Sequence, residues 1–286
     1  MVENSKKIVV SNFDRYVKDG WENLVFKAGY NDRFVLENSL NLNKKIVVEE
    51  GANVELVDYI YDINQNNDVQ YLVEVSGNLK LHHVLLCALE QNKMSVISSV
   101  FGMGNYTNTV IDLNRGNSLI NLESNIVEEG GHTSVYTASI SGEKYVKNLV
   151  INNVNHAPHS EAYMTNFGIG YDQGKLVVDG IGDIRNGAHG SVNKQHSTMI
   201  VFDELAKATN KPLLLIEEDD VVANHASAVG KIDEQTIFYL CSRGLTPKQA
   251  KKYISLGYFK PVLALLSDEK IKEKVLDYLE EVIKDD

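Results

Sequence analysis

From Ile8 to Val222 the chain repeats one pattern, a short run rich in Val, Ile, Thr and Tyr followed by a break of Gly, Asn or Asp. The runs include IVV at 8–10, LVF at 24–26, RFVL at 33–36, KIVVEE at 45–50, YLVEV at 71–75, NTVIDL at 108–113 and PLLLIEE at 212–218. Such runs between turn formers predict strands. In VELVDYIYD, Val54, Leu56, Asp58, Ile60 and Asp62 share one face, the alternation of a half-buried strand. Others are apolar throughout and predict strands covered on both faces. Roughly fifteen strands precede any convincing helical pattern, which leaves a sandwich, a closed barrel or a β-solenoid. Short recurring units with no helix between them favour the solenoid, in which each coil buries the face of the next.

The pattern changes after Gly230. Asp233 is placed to cap a helix over IDEQTIFYLCSRG, with Gly244 at the position just past its end. Thr246, Pro247 and Gln249 spell the cap, first turn and capping box of a second helix, which Gly257 and Pro261 are expected to interrupt. A third helix follows Ser267, with Ile271, Val275, Leu279, Val282 and Ile283 as its apolar stripe. The expected division is a β-solenoid core over 1–232 and a helical domain over 233–286. The apolar residues of 253–266 exceed what two or three helices bury among themselves. They dock a partner, or fold back to cap the open end of the solenoid.

Composition narrows the function classes. Charged residues make up 23% of the chain and the formal charge is −11, the wrong sign for a nucleic-acid or anionic-membrane ligand. No apolar run reaches the ~18–20 residues of a membrane span. MVENSKKIVV lacks a secretory h-region, and Cys87 and Cys241 match no zinc spacing, so a cytoplasmic protein with free thiols is expected. Phosphate-loop, dinucleotide, nucleophile-elbow and zinc-helix motifs are missing. A secreted-type β-helix carbohydrate-active enzyme would need paired carboxylates about 5–9.5 Å apart. Asp58 and Asp62 alternate suitably, but no partner strand is recognisable.

The stretch DDVVANHASAVG, 219–230, sets His225 among small residues after an acidic strand end. It belongs to a linked set: Pro212 to Ile216, Asp219-Asp220-Val221, His225, Gly230, Phe238-Tyr239-Leu240, Ser242-Arg243-Gly244, Ala250 and Gly257-Tyr258-Phe259. HAPHSEA at 156–162 adds an upstream piece. Together these resemble the SufB/SufD family, scaffold subunits of the SUF iron–sulfur cluster assembly machinery. The resemblance implies a right-handed parallel β-helix followed by helices, in a short form that lacks an N-terminal helical extension. It implies no catalytic residue, but a scaffold that pairs with a SufB-like subunit or with itself and docks a SufC-type ABC ATPase through its tail. Tyr253, Ile254, Tyr258 and Phe259 are then the docking candidates. Asp220, Gly230, Phe238, Tyr239, Arg243 and Gly244 read as architecture.

Two departures matter. The chain is short, and the family's H-G-A is His225-Ala226-Ser227 here. The SufB-type Q-C-D is Gln195-His196-Ser197 and the SufB-type E-H-E is Asn224-His225-Ala226, so the chain is closer to the SufD type. His225 and His196 are the candidate ligands for iron or a nascent cluster, held transiently at a subunit interface rather than as a stable cofactor. Imidazole ligates iron as a neutral donor, whereas stable clusters are usually held by several cysteines. A purely structural subunit without iron is the remaining reading.

Overall fold

The computed structural model describes residues 8–10, 12–63 and 65–283. Its strands are β1 Ile8–Val10, β2 Phe13–Lys18, β3 Trp21–Phe26, β4 Asn31–Glu37, β5 Lys44–Val48, β6 Asn53–Tyr61, β7 Asn67–Val75, β8 Asn78–Leu86 and β9 Gln91–Val100. They continue as β10 Asn105–Asp112, β11 Asn117–Ile126, β12 His132–Ser141, β13 Val146–Asn155, β14 Glu161–Gly170, β15 Lys175–Ile184, β16 Val192–Val201, β17 Lys207–Ile216 and β18 Val222–Lys231. Three helices close the chain: α1 Glu234–Ser242, α2 Pro247–Leu263 and α3 Glu269–Val282.

From β4 onward each strand crosses to the opposite sheet, giving the orders β1-β2-β3-β5-β7-β9-β11-β13-β15-β17 and β18-β16-β14-β12-β10-β8-β6-β4. Apart from the antiparallel β1-β2-β3 start, every pairing is parallel. The result is a two-sheet β-solenoid of about seven turns. Coil corners stack backbone on backbone: a Cβ on Gly116 would come within 1.5 Å of the Leu89 carbonyl oxygen. Only glycine fits there.

The burial pattern explains which strands alternate. In β7 and β11, of the first sheet, one side chain in two is buried, because only the inner face is covered. The second halves of β8, β10 and β12, in the second sheet, are buried on both faces. There α2 and α3 lie across the outer face, and Val84, Ile111, Ile140 and Ile169 pack with Phe259, Val262, Leu279 and Val282. The tail therefore lies along the side of the solenoid and leaves the open end uncapped. Its connection is clipped near the first coils: Arg33 pairs with Asp268 at 3.2 Å, and the Ser267 amide and hydroxyl donate to Glu55.

The ends of the solenoid differ. Phe13, Phe26, Tyr30 and Phe34 plug the first coil, with Phe13 stacked on Phe26 at 4.8 Å. Among the described residues nothing equivalent closes the last coil, where β17 and β18 have no fully buried residue.

Three expectations need correction. There are eighteen strands among the described residues, and the segment around His225 is itself a strand. Its Ala, Ser and Gly content hid it. α2 runs through Gly257 and Pro261 without a break, held by burial of Phe259, Val262 and Leu263. The change from strand to helix falls between Lys231 and Glu234, with Asp233 as cap, and the Thr246–Gln249 capping box is formed. All five residues of the α3 stripe are buried.

Charges also lie inside the solenoid. The Lys147 ammonium donates to Asp112 Oδ1 at 2.8 Å and to the Asp112 carbonyl at 3.2 Å, both residues being fully buried. The Lys44 ammonium donates to the carbonyls of Ser39 and Leu42 at 2.9 and 3.0 Å and lies 3.9 Å from Asp58. Each lysine thus fastens a coil corner from within.

His82 and His83 are buried on opposite faces of β8, and no ring nitrogen of either has a hydrogen-bond partner among the described residues. His82 sits beside Glu55, 3.6 Å away, beneath the tail connection. Burial, opposed by Glu55 and reinforced by Lys80, pushes its pKa down to about 4, and burial with Lys44 takes His83 to about 3. A depressed histidine contributes stability that is full above the unfolded value near 6.5 and lost as pH falls through the folded value. For His82 that loss is about 2 kcal/mol between pH 7 and pH 5. Urea titrations at the two pH values should show His82→Leu to be less acid-sensitive than the parent by that amount. Equal acid sensitivity would contradict the assignment.

Candidate functional site

The open end is built from β17 and β18. Register places His225 over Gln195, and Ser227 over Ser197. Gln195 and Ser197 are buried, inward-facing residues of β16, so the alternation puts His225 on the inner face of the coil. It is exposed only because no further coil covers it. Beneath it, Gln195 Nε2 donates to the Leu213 carbonyl at 2.9 Å, and Asn210 Nδ2 donates to Ser227 Oγ at 2.8 Å. These bonds tie the two sheets across the last coil.

His196 has the opposite parity. It lies on the outer face, exposed, between Thr165 and Ala226, with Nε2 3.2 Å from Thr198 Oγ1. The two candidate histidines therefore face opposite sides of one sheet. Within one chain they cannot share an ion. Among the described residues no group of three His, Cys, Asp or Glu side chains is placed to hold a metal. Cys87 is buried, and burial pushes its thiol up to about 12, leaving it protonated. Cys241 is half-buried in α1.

The backbone of β18 adds a second feature. Val222 N–H bonds the Ser191 carbonyl and Ile232 N–H the Val201 carbonyl, so the even-numbered residues point their backbone groups at β16. Ala223, His225, Ser227 and Val229 then present theirs along the free edge. A Cβ on Gly230 would meet nothing within 4 Å, so packing inside this chain does not demand glycine there.

The other candidates separate. Phe259 is wholly buried against the second sheet, where it fastens the tail, and Ile254 and Tyr258 are partly buried there. Tyr253 is exposed. Phe238 and Tyr239 are not core: α1 has no buried residue, and they are 75% and 55% exposed. Arg243 stacks over Tyr239 at 5.1 Å, Gly244 ends α1 with φ +97°, and the Asp220 carbonyl accepts from Gly190 N–H at 2.6 Å. A shallow, mostly apolar groove between α2 and α3 is lined by Leu256, Leu263, Ala264 and Leu276, with Lys260 and Lys272 at its rim. Asp58 is sealed inside the solenoid, where it accepts from the Tyr71 hydroxyl and burial raises its pKa. Asp62 is a left-handed turn residue. The two carboxylates share no cleft.

Sequence reasoning missed Gln195, Asn210 and Ser227 around His225. The signal was the shared parity of 193, 195 and 197 with 223, 225 and 227, visible only once β18 is known to be a strand. No helix among the described residues is long and apolar enough to cross a membrane.

A family model described as SUF system FeS cluster assembly, SufBD core domain, matches residues 36–258. The chain is 28% identical over 172 residues to the iron–sulfur cluster assembly protein SufD of Bacillus subtilis, covering 60% of this chain and 39% of that protein. It is 23% identical over 262 residues to SufD of Escherichia coli, covering 84% and 58%. A SufBD family protein of Staphylococcus saprophyticus is 23% identical over 225 residues, covering 76% and 48%. The chain thus spans about two fifths to three fifths of the length of these relatives.

Proposed function

The chain belongs to the SUF-system SufBD family, in which it is SufD-like, and from that membership we propose that it is a non-enzymatic, cytoplasmic scaffold subunit of an iron–sulfur cluster assembly complex. The observation that carries the reading is the contrast between the plugged first coil and the bare last one, with His225 on the inner face of the latter. A SufB-like subunit, or a second copy, adds strands to β17 and β18. The exposed side chains of α1 and α2, Phe238, Tyr239 and Tyr253, and the groove beside Leu276 dock a SufC-type ABC ATPase. Closure of the ATPase pulls on the tail and shifts the paired subunits between two rigid-body arrangements.

Iron is the cargo of this scaffold. His225 offers it an imidazole, and the remaining ligands come from the partner, since the described residues bring no second His, Cys, Asp or Glu side chain to that face. His196, on the outer face, acts separately if it binds at all. His225→Ala should leave the complex assembled while the iron carried by the anaerobically purified complex falls several-fold. Unchanged iron in an intact complex would reduce the chain to a structural subunit.

A further inference from the structure

One interior column of the solenoid changes character along its length. In the first sheet the stacked residues are Ile46, Val73, Ser98, Ser124, Asn153, Gly182 and Leu214. Across the interior, the second sheet stacks Val54, Leu79, Tyr106, Thr133, Ala162, Asn193 and Ala223. Two contacts show that the columns face each other. The Tyr106 hydroxyl lies beside Ser98 at one level, and at another Asn193 Nδ2 donates to the Asn153 carbonyl at 3.0 Å. The coils at Ile46–Val54 and Val73–Leu79 fill this position with branched apolar side chains; the following four use small or polar ones.

Four polar atoms of those coils are left over. Ser124 Oγ, Thr133 Oγ1, Asn153 Oδ1 and Asn193 Oδ1 find no partner among the described residues, and their residues are at most 1% exposed. The amide orientations are fixed, because Asn153 Nδ2 donates to the Tyr163 carbonyl and Asn193 Nδ2 to Asn155 Oδ1. Asn193 Oδ1 points toward Gly182, occupying space where any Cβ would come within 2.5 Å. Leaving buried acceptors unpaired costs about 1–3 kcal/mol each, and native interiors satisfy such groups with protein or with ordered water. The backbone ladder keeps the coil spacing constant, and Ser124 and Thr133 are smaller than the Val73 and Leu79 that stand in the same columns two coils earlier.

We propose that this seam binds a file of ordered water molecules, held by Ser124, Thr133, Asn153 and Asn193, that runs from the Ser98–Tyr106 coil toward the open end. Val73 and Leu79 stop it at the inner end. At the outer end it reaches Ala223, next to the row that carries Gln195 and His225. Water bound there keeps the inner side of the last coil hydrated when a partner covers the edge. The file itself does not depend on the scaffold role.

The test is a crystal structure of the full chain at about 1.5 Å or better, with water-oxygen magnetic relaxation dispersion in solution to detect long-lived buried waters. The expected result is a water within hydrogen-bond distance of each of the four atoms. The nearly isosteric Thr133→Val should lose its neighbouring water and lower the long-lived signal, and Asn193→Leu should do the same at the outer end. A seam without waters in the crystal, or a relaxation signal unchanged in both folded variants, overturns the proposal. Neither readout involves a partner or iron, so failure here is separable from failure of the scaffold reading.

Discussion

Replacing Asp112 with alanine is expected to cost the folded chain about 3–5 kcal/mol, because it strands the Lys147 ammonium inside the solenoid. Lys147 is fully buried, and its Nζ donates to the Asp112 side chain and carbonyl. Burial already pulls the lysine below its ordinary value, and Asp112 is the chief group opposing that pull. With the partner gone, folding must neutralise the ammonium. A lysine depressed in the fold weakens the folded state at pH values below its unfolded value near 10.5 and ceases to do so above it. The defect of Asp112→Ala should therefore be largest near neutrality and shrink toward pH 10. Adding Lys147→Met should recover much of it, since an apolar residue of similar length removes the stranded charge. Urea midpoints of the three chains at pH 7 and pH 10 measure this. A single variant as stable as the parent at pH 7 would mean that the interior charge is solvated in a way the packing does not suggest.

The second large effect is expected at the free edge. Val229→Pro removes one of the outward backbone donors of β18 without touching the ladder to β16, which uses the even-numbered residues. Proline on an edge strand is a device that blocks strand addition. Association through this edge, with a second copy or a SufB-like subunit, should weaken at least about tenfold, equivalent to ~1.4 kcal/mol, while the circular dichroism of the chain is unchanged. Sedimentation velocity of the chain alone and mixed with the SufB-like subunit reads both cases. Unaltered association by a folded variant would move the interface elsewhere.

Much of this architecture was legible because burial on one face leaves a period. β7 alternates cleanly, whereas β8 and β10 carry Lys80, His82, His83, Asn108, Thr109 and Asp112 along their length, so the second cover over that sheet shows in their burial and not in their sequence. What the cover was did not follow: the α2 and α3 stripes fit the side of the solenoid as well as its end. β18 was not legible as a strand because it is covered on one edge alone, by β16, and its Ala, Ser and Gly residues carry no apolar signature. The same loss of phase hid the site geometry. His225 stood out by its small neighbours, but its inward aim and the outward aim of His196 depend on register across the 202–221 segment, which sequence spacing does not transmit. Phe238 and Tyr239 read as architecture; helix α1, which has no fully buried residue, leaves them 75% and 55% exposed.

The central claim is that this chain joins a SUF assembly complex, and anaerobic coexpression with the SufC-type ATPase and SufB-type subunit of the same organism tests it most directly. The account predicts a stoichiometric complex on size exclusion that loses the ATPase when Phe238 and Tyr253 are both changed to aspartate. A chain that elutes alone, with ATP, with ADP and without nucleotide, would contradict it.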